Sequence, residues 1–553
     1  MIYDRGYSPF SRSASMTVAE RLVARLRSAG IRRVFGVPSG SWLYYMDAMR
    51  AGGVDFVLVA NEATAGFMAD VSARLTGIPG ACYGTVGPGA TNLSTGVGGA
   101  LLDRSPLLAF TSEPPEKMLG RTVQMAVDHQ ALYRPLTKWT TRLAPDRVDQ
   151  VLDQALQIAL SDMPGPVHIG LPEDLGPKET TNSPVAAGLP PVRTLGPASE
   201  DALRSIETAM SASRRPVLAV GLSAVRAGLG PRLIRIAEKH RMPIILTPMA
   251  KGLVSENHPL YVGVLFHALS DRVAATHKEA DLVVAVGYDP IEFNYEDWMP
   301  SVPLLCLDTL PADIDRILYP EVTDVTGDIG TSLLRLEALA PLDSRWDLKE
   351  LAGRRDAMFR AMEPPPGSFG PRAALAGLRE ILPEDGIMTC DVGAHIHLIG
   401  QMRRTPAPGL QLMTNGWSSM GFGIPAALAA KLCRPDRKVA CVTGDGGFHM
   451  MAGEMATARR IGLPIVFVLL DDRSLDLIRL KQDKKKMPRY GTDLLDRDYP
   501  HADSVFGVPV IRAGNASDYR DALSKAFKSD GPVIVEASID ASEYDDLILR
   551  KHK

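Results

Sequence analysis

Short unbroken apolar runs recur along the chain and alternate with longer segments whose apolar residues fall at helical spacing. The runs are RVFGV (33–37), ACYGTV (81–86), PVHIGL (166–171), PVLAVG (216–221), DLVVAVG (281–287), KVACVTG (438–444) and PIVFVLLD (464–471). A strand with one wet face alternates apolar and polar residues. Continuous Val, Ile and Leu mean that both faces are covered, which predicts parallel strands layered between helices. Two stretches interrupt the pattern. Residues 176–198 are rich in Pro, Gly, Thr and Ser and have little periodicity. Residues 363–371 (EPPPGSFGP) cannot continue a helix, because consecutive prolines lack amide donors and clash with the preceding turn. The fold expected is therefore α/β, with three doubly wound parallel-sheet domains at 16–176, 199–340 and 368–545 behind a loose tail at 1–15. In such folds ligands sit beyond the carboxyl ends of strands.

Composition narrows the partners. The chain has 553 residues, 45% hydrophobic and 23% charged, which is ordinary for a protein with several buried cores. A net charge of -3 without a long basic run gives no reason to expect nucleic acid or an anionic membrane. The dense patch Lys484–Lys485–Lys486 is short and reads as a solvated loop. Five cysteines are scattered without a C-x-x-C pair, and Cys82, Cys306 and Cys441 lie in apolar runs. That pattern fits a reducing compartment. No signal-like or membrane-length apolar run occurs, so the sequence reads as cytoplasmic.

The most informative segment is VTGDGGFHMMAGEMATARRIGLPIVFVLLDDRS, from Val442. An apolar strand runs into Gly444–Asp445–Gly446–Gly447, with a helix expected from near Met451. Glycines at a strand-to-helix turn let backbone amides approach phosphate oxygens. An acid in that turn would repel phosphate unless a cation lay between them, so Asp445 suits a hard ion such as Mg²⁺. The next strand ends at Asp471–Asp472, and Asp472 follows Asp445 by 27 residues. Adjacent strands of one sheet would bring the two carboxylates to the same edge.

This pairing resembles the thiamine-diphosphate enzymes, whose fingerprint is GDG followed just under thirty residues later by an Asn pair. Here Asp471–Asp472 stands in place of that pair, which keeps the ligating oxygen and adds negative charge. The catabolic acetolactate synthases are similar, and Asp472-Arg473-Ser474-Leu475-Asp476 looks like their stretch. The resemblance implies pyrimidine-binding, central and diphosphate-binding domains, and makes Asp445, Asp472 and the Ser474 carbonyl the Mg²⁺ ligands. It places Gly393, Ala394 and His395, with Gly444, Gly446 and Gly447, at the diphosphate. Met420 takes the place of the apolar residue that bends the cofactor, and the Ser418 carbonyl that of the acceptor for its amino group.

Glu62 lies in LVANEATAGFMADVSARLTG at the start of an expected helix with Ala65, Met68 and Ala69 on its apolar side. An acid there also suits the helix dipole. In the family a Glu at this place helps the aminopyrimidine change tautomer, and the resemblance gives that role to Glu62. Asn61 replaces the His that often precedes it. Gly87-Pro88-Gly89-Ala90-Thr91-Asn92 fails as a dinucleotide loop, because Asn92 stands where Gly is needed. It resembles the family's G-P-G-x-x-N turn near the pyrimidine.

Residues 286–293 (VGYDPIEF, ending in Phe293), Trp298 and 310–316 (LPADIDR) look like the FAD-independent synthases, so FAD is not expected. No adjacent His–His pair occurs, which counts against a pyruvate-decarboxylase-like enzyme. Gln124 is matched to a substrate-side Gln, with one residue too many before Pro135-Leu136-Thr137-Lys138. Arg473 is the candidate cation for an acceptor carboxylate. The expectation is a carboligase that decarboxylates a small 2-oxo acid, pyruvate first, and joins the acyl unit to a second carbonyl. Arg473 and the lysines at 481–486 keep open a decarboxylase or lyase with another donor or acceptor. A non-catalytic relative and a dinucleotide-binding protein remain as further alternatives. Family members build each site from two subunits, which implies a homodimer or homotetramer.

Overall fold

The computed structural model describes residues 15–180, 184–192, 195–292, 302–319, 321–494 and 502–549. Phe293, Trp298 and residues 1–14 of the expected tail lie outside them. The chain divides into two compact units. The first comprises Met1–Arg193 with 425–435 and 451–463, and the second comprises the remainder.

The first unit is built on a six-stranded parallel sheet. Its strands run in the order Asp55–Leu58, Arg33–Gly36, Gly80–Gly84, Leu107–Glu113, Pro166–Pro172 and Trp139–Arg142. Leu107–Glu113 and Pro166–Pro172 are buried at every position, as unbroken apolar runs require. From Arg33–Gly36 the chain steps outward to Asp55–Leu58, then crosses back to Gly80–Gly84 on the other side. That reversal opens a crevice beyond the strand ends, where residues 85–89 lie. Helices Glu62–Thr76 and Pro88–Leu102 flank it. They touch backbone to backbone, since a Cβ on Gly66 would stand 2.6 Å from the Gly96 Cα.

The second unit holds two sheets. One has six parallel strands, ordered Tyr261–Val264, Ile244–Leu246, Pro216–Val220, Leu282–Val286, Leu304–Asp308 and Val322–Thr326. The other runs Gln411–Leu412, Ile387–Cys390, Val439–Gly444, Ile465–Asp471, Val533–Ser538, Val508–Ala513 and Ser504–Val505. It is parallel except at its edge, where Ser504–Val505 pairs antiparallel with Val508–Ala513 around Phe506–Gly507. Its order reverses between Ile387–Cys390 and Val439–Gly444. The loop after the first of these begins at Asp391, and the second runs straight into Asp445. Three parallel α/β sheets are thus present, and no described helix is long and apolar enough to cross a membrane.

Candidate active site

Strand pairing explains how two distant acids meet. Val439–Gly444 and Ile465–Asp471 run parallel with Gly444 opposite Leu470, so Asp445 and Asp472 leave the sheet at the same edge. The helix here starts at Asp445, six residues before the expected Met451, and a second helix, Glu454–Ile461, follows a break at Ala452–Gly453. Gly446 and Gly447 therefore sit in helical backbone, and close approach is what calls for them. A Cβ on Gly446 would come within 2.7 Å of Leu475 and 2.8 Å of Met420, and one on Gly447 would run into the Asp391 carboxylate.

These segments enclose a cavity of about 100 Å³. Gly393, Ala394 and His395 line it from the start of helix Ala394–Met402, and Gly444, Asp445, Gly446 and Gly447 from the junction of strand Val439–Gly444 with its helix. Met420, Asp472 and Ser474 complete the expected set, and Leu475, Leu477, Ile478 and Tyr544 add a wall that motif reading did not anticipate. Ser418 is not on this lining. It is exposed at φ 50°, with Oγ donating to the Asn415 carbonyl at 2.7 Å. Arg473 (φ 60°) lines an adjoining, larger cleft of about 850 Å³, which shares Asp472, Ser474 and Asp476 with this cavity and also has Arg479, Arg489 and Asp493 on its wall; its guanidinium lies 3.8 Å from Asp471.

The cavity's electrostatics are unbalanced. Burial holds the Asp445 carboxyl well above the usual range, and burial together with the Asp445 charge does the same to Asp472. Asp445 Oδ1 accepts the Gly446 amide at 2.7 Å, whereas Oδ2 is buried without a hydrogen-bond partner. Ser474 Oγ and His395 Nε2 are in the same condition. Burial lowers His395 to about 4, so the ring is neutral. Buried polar atoms are normally paired. Such a cluster fits an absent cation and its anionic ligand: two hard oxygen donors for a divalent ion, beside backbone stripped of side chains.

Asp391, which carries no motif signal of its own, ties the cavity together. Its Oδ1 accepts the amides of Val392 (2.7 Å) and Gly421 (2.8 Å), and its Oδ2 accepts the Thr443 hydroxyl (3.0 Å). One side chain thus ties together three of the segments that line the site. Burial pushes it up to about 6.

In the first unit Glu62 opens helix Glu62–Thr76, with the Asn61 side chain capping it by accepting from Ala63 N at 2.9 Å. Glu62 is 8% exposed, and its Oε2 accepts from Asn92 Nδ2 at 3.1 Å. A Cβ on Gly89 would lie 3.2 Å from Oε1, so glycine here lets the G-P-G turn face the carboxylate closely. Glu454 is a further residue that the motifs did not reveal. Its Oε1 accepts the amides of Ala60 and Asn61 at 2.9 and 3.1 Å, immediately before Glu62. Gln124 is exposed on the turn that precedes helix His129–Tyr133.

Comparison with known proteins covers the same segments. Three family profiles match in chain order: "Thiamine pyrophosphate enzyme, N-terminal TPP binding domain" over 16–132, its central domain over 203–336, and its C-terminal TPP binding domain over 391–537. The acetolactate synthase isozyme 1 large subunit of Escherichia coli (strain K12) is 31% identical, over 95% of this chain and 94% of that one. The chain belongs to the thiamine pyrophosphate enzymes. Other relatives of this family include the probable acetolactate synthase large subunit of Methanocaldococcus jannaschii, 29% identical over 96% and 93% of the two chains. An acetolactate synthase of Bacillus subtilis (strain 168) is 28% identical over 95% and 93%. The protein is accordingly a thiamine pyrophosphate-dependent enzyme of acetolactate synthase-like type.

Proposed function

We propose that this enzyme decarboxylates pyruvate and joins the remaining acyl unit to a second 2-oxo acid, as its relatives' names suggest. The observation that carries the reading is the Asp445–Asp472 carboxylate pair beside an unpartnered, side-chain-poor cavity. Thiamine diphosphate, when bound, supplies the carbon nucleophile and the electron sink. Asp445, Asp472 and the Ser474 carbonyl would hold Mg²⁺. Gly393–His395 and Gly444–Gly447 would take the diphosphate, Met420 would pack against the cofactor, and the Ser418 carbonyl would accept from its amino group. Glu62, steadied by Asn92, holds and exchanges a proton at the pyrimidine nitrogen remote from that amino group. Gln124 and Arg473 face the substrates. Two copies of the chain share each site, in the cytoplasm and without FAD.

The position of Arg473 on a cleft with further arginines favours a second reading, in which the acceptor or donor differs. Product analysis separates the two. Purified protein with Mg²⁺, thiamine diphosphate and pyruvate, and no added FAD, should release CO₂ and 2-acetolactate, identified by mass. Acetaldehyde as the main product moves the enzyme to the decarboxylases. No pyruvate turnover moves the donor to another 2-oxo acid.

A further inference from the structure

Behind the Gly87–Gly89 turn lie three buried residues, Glu113, His129 and His168, whose ligand atoms approach within 4.8 Å of one another. That spacing invites a metal. Their hydrogen bonds oppose one, because all four imidazole nitrogens of His129 and His168 are already engaged.

The chain of donors can be followed from its surface end. Arg142 donates to Glu113 Oε2. Gln130 Nε2 donates to Glu113 Oε1 at 2.7 Å and to the Thr141 carbonyl at 3.1 Å, which leaves Gln130 Oε1 as an acceptor. Thr140 Oγ1 donates to that oxygen at 2.8 Å. With its one proton used, Thr140 accepts from His168 Nδ1–H at 2.7 Å. Burial holds His168 well below the usual imidazole range, so the ring is neutral and its Nε2 accepts. The donor is Thr111 Oγ1, 2.7 Å away. Thr111 in turn accepts from His129 Nδ1–H at 2.9 Å. Burial lowers His129 to about 4, so it too is neutral, and its Nε2 accepts the Gly87 amide at 3.3 Å. Each assignment forces the next.

The far end of this chain is the turn that faces Glu62. Gly87 has φ 66°, and a Cβ there would collide with the Met125 carbonyl, so the amide that His129 holds also abuts the Gln124–Met125 turn. Tyr133 stacks on His168 at 4.2 Å and donates to the Ala90 carbonyl at 2.6 Å, bracing the turn from its other side.

We propose that the one-way hydrogen-bond chain from the Gly87 amide to Glu113, where Arg142 donates from the opposite side, is a positioning device that fixes the Gly87–Gly89 turn against Glu62, with His129 and His168 each carrying the ring proton on Nδ1. The proposal rests on Glu62 as the acid that serves the cofactor. The chain moves no proton to the site, since its end there is a backbone amide. Its Thr111, His129 and His168 links are buried and polarise one another, so breaking one there loosens its neighbours.

Two measurements test it. In the apo protein, ¹⁵N-histidine spectra near neutral pH should show two Nδ1–H tautomers that lose their signature in Thr111→Val and regain it in Thr111→Ser. Nε2–H or doubly protonated rings at these sites, or signals displaced by added Zn²⁺, overturn the proposal. In the holoenzyme, Thr111→Val should slow hydrogen–deuterium exchange at thiamine C2 by roughly tenfold to a hundredfold, the scale of a small misplacement of a reacting group. Thiamine diphosphate affinity should stay within about twofold, because the diphosphate contacts are untouched, and Thr111→Ser should restore exchange. Full exchange in Thr111→Val overturns the positioning role. A wild-type protein that binds thiamine diphosphate without accelerating this exchange overturns the Glu62 assignment instead, and the tautomer spectra are independent of it.

Discussion

Asp445 and Asp472 share a strand edge, yet they are not equivalent. Asp445 Oδ2 is buried and unpartnered, whereas Asp472 Oδ1 accepts the Ser474 amide at 3.1 Å and is the less enclosed of the two. Asp445→Ala should abolish the thermal shift that Mg²⁺ and thiamine diphosphate give the wild type. Asp472→Asn keeps one oxygen donor and removes a charge beside the diphosphate, so the shift should remain. The reverse order would sink the ligand assignment. These acids and Glu62 were legible in the sequence because each stands in a short motif after an apolar run. Asp391 and Glu454 were not, because they act on backbone amides far away in the chain, and an amide leaves no mark in the residue that bears it.

At the scale of elements, the strands were legible from unbroken apolar runs, and the helix after Gly444 was misplaced. Gly446–Gly447 read as a turn that lets amides approach phosphate, whereas they sit in helical backbone, where a Cβ on Gly447 would meet the anchored Asp391 carboxylate. Only the assembled fold brings that neighbour into view. The loop after strand Leu282–Val286 gives another case. There Glu292 is buried, with Oε2 accepting the Met249 amide at 3.0 Å and Oε1 unpartnered, and burial pushes it up to about 8. An acid whose folded value lies above its unfolded 4.5 keeps its proton in the native state while the unfolded chain loses it. The contribution of Glu292 to stability therefore falls as pH rises from 4.5 to 8 and levels off above that. Glu292→Gln cannot titrate, so its Tm should decline less steeply than the wild type across that window. Parallel Tm curves would show that Glu292 is not the group responsible.

At the scale of the whole molecule, Glu62 belongs to one compact unit and Asp445 to the other. If each site is shared between copies, inactive Glu62→Gln and inactive Asp445→Ala chains should regain activity when mixed. One site of the mixed dimer would then have both halves intact. Mass spectrometry can establish that subunits have exchanged, and continued inactivity after exchange would mean that each chain builds its own site.

The contact of Gly66 with Gly96 bears on how such a protein can change over time. Where two helices meet without side chains between them, no rotamer can absorb a substitution, and even one added methyl must push the backbones apart. The two helices carry Glu62 and Asn92, so the closeness of their backbones also sets the distance between those side chains. On the turn that carries Gln124 and Met125 the side chains are exposed and free to vary, although the Met125 carbonyl itself abuts Gly87. Side chains there can change one at a time, whereas the contact between the two helices is held by two missing carbon atoms.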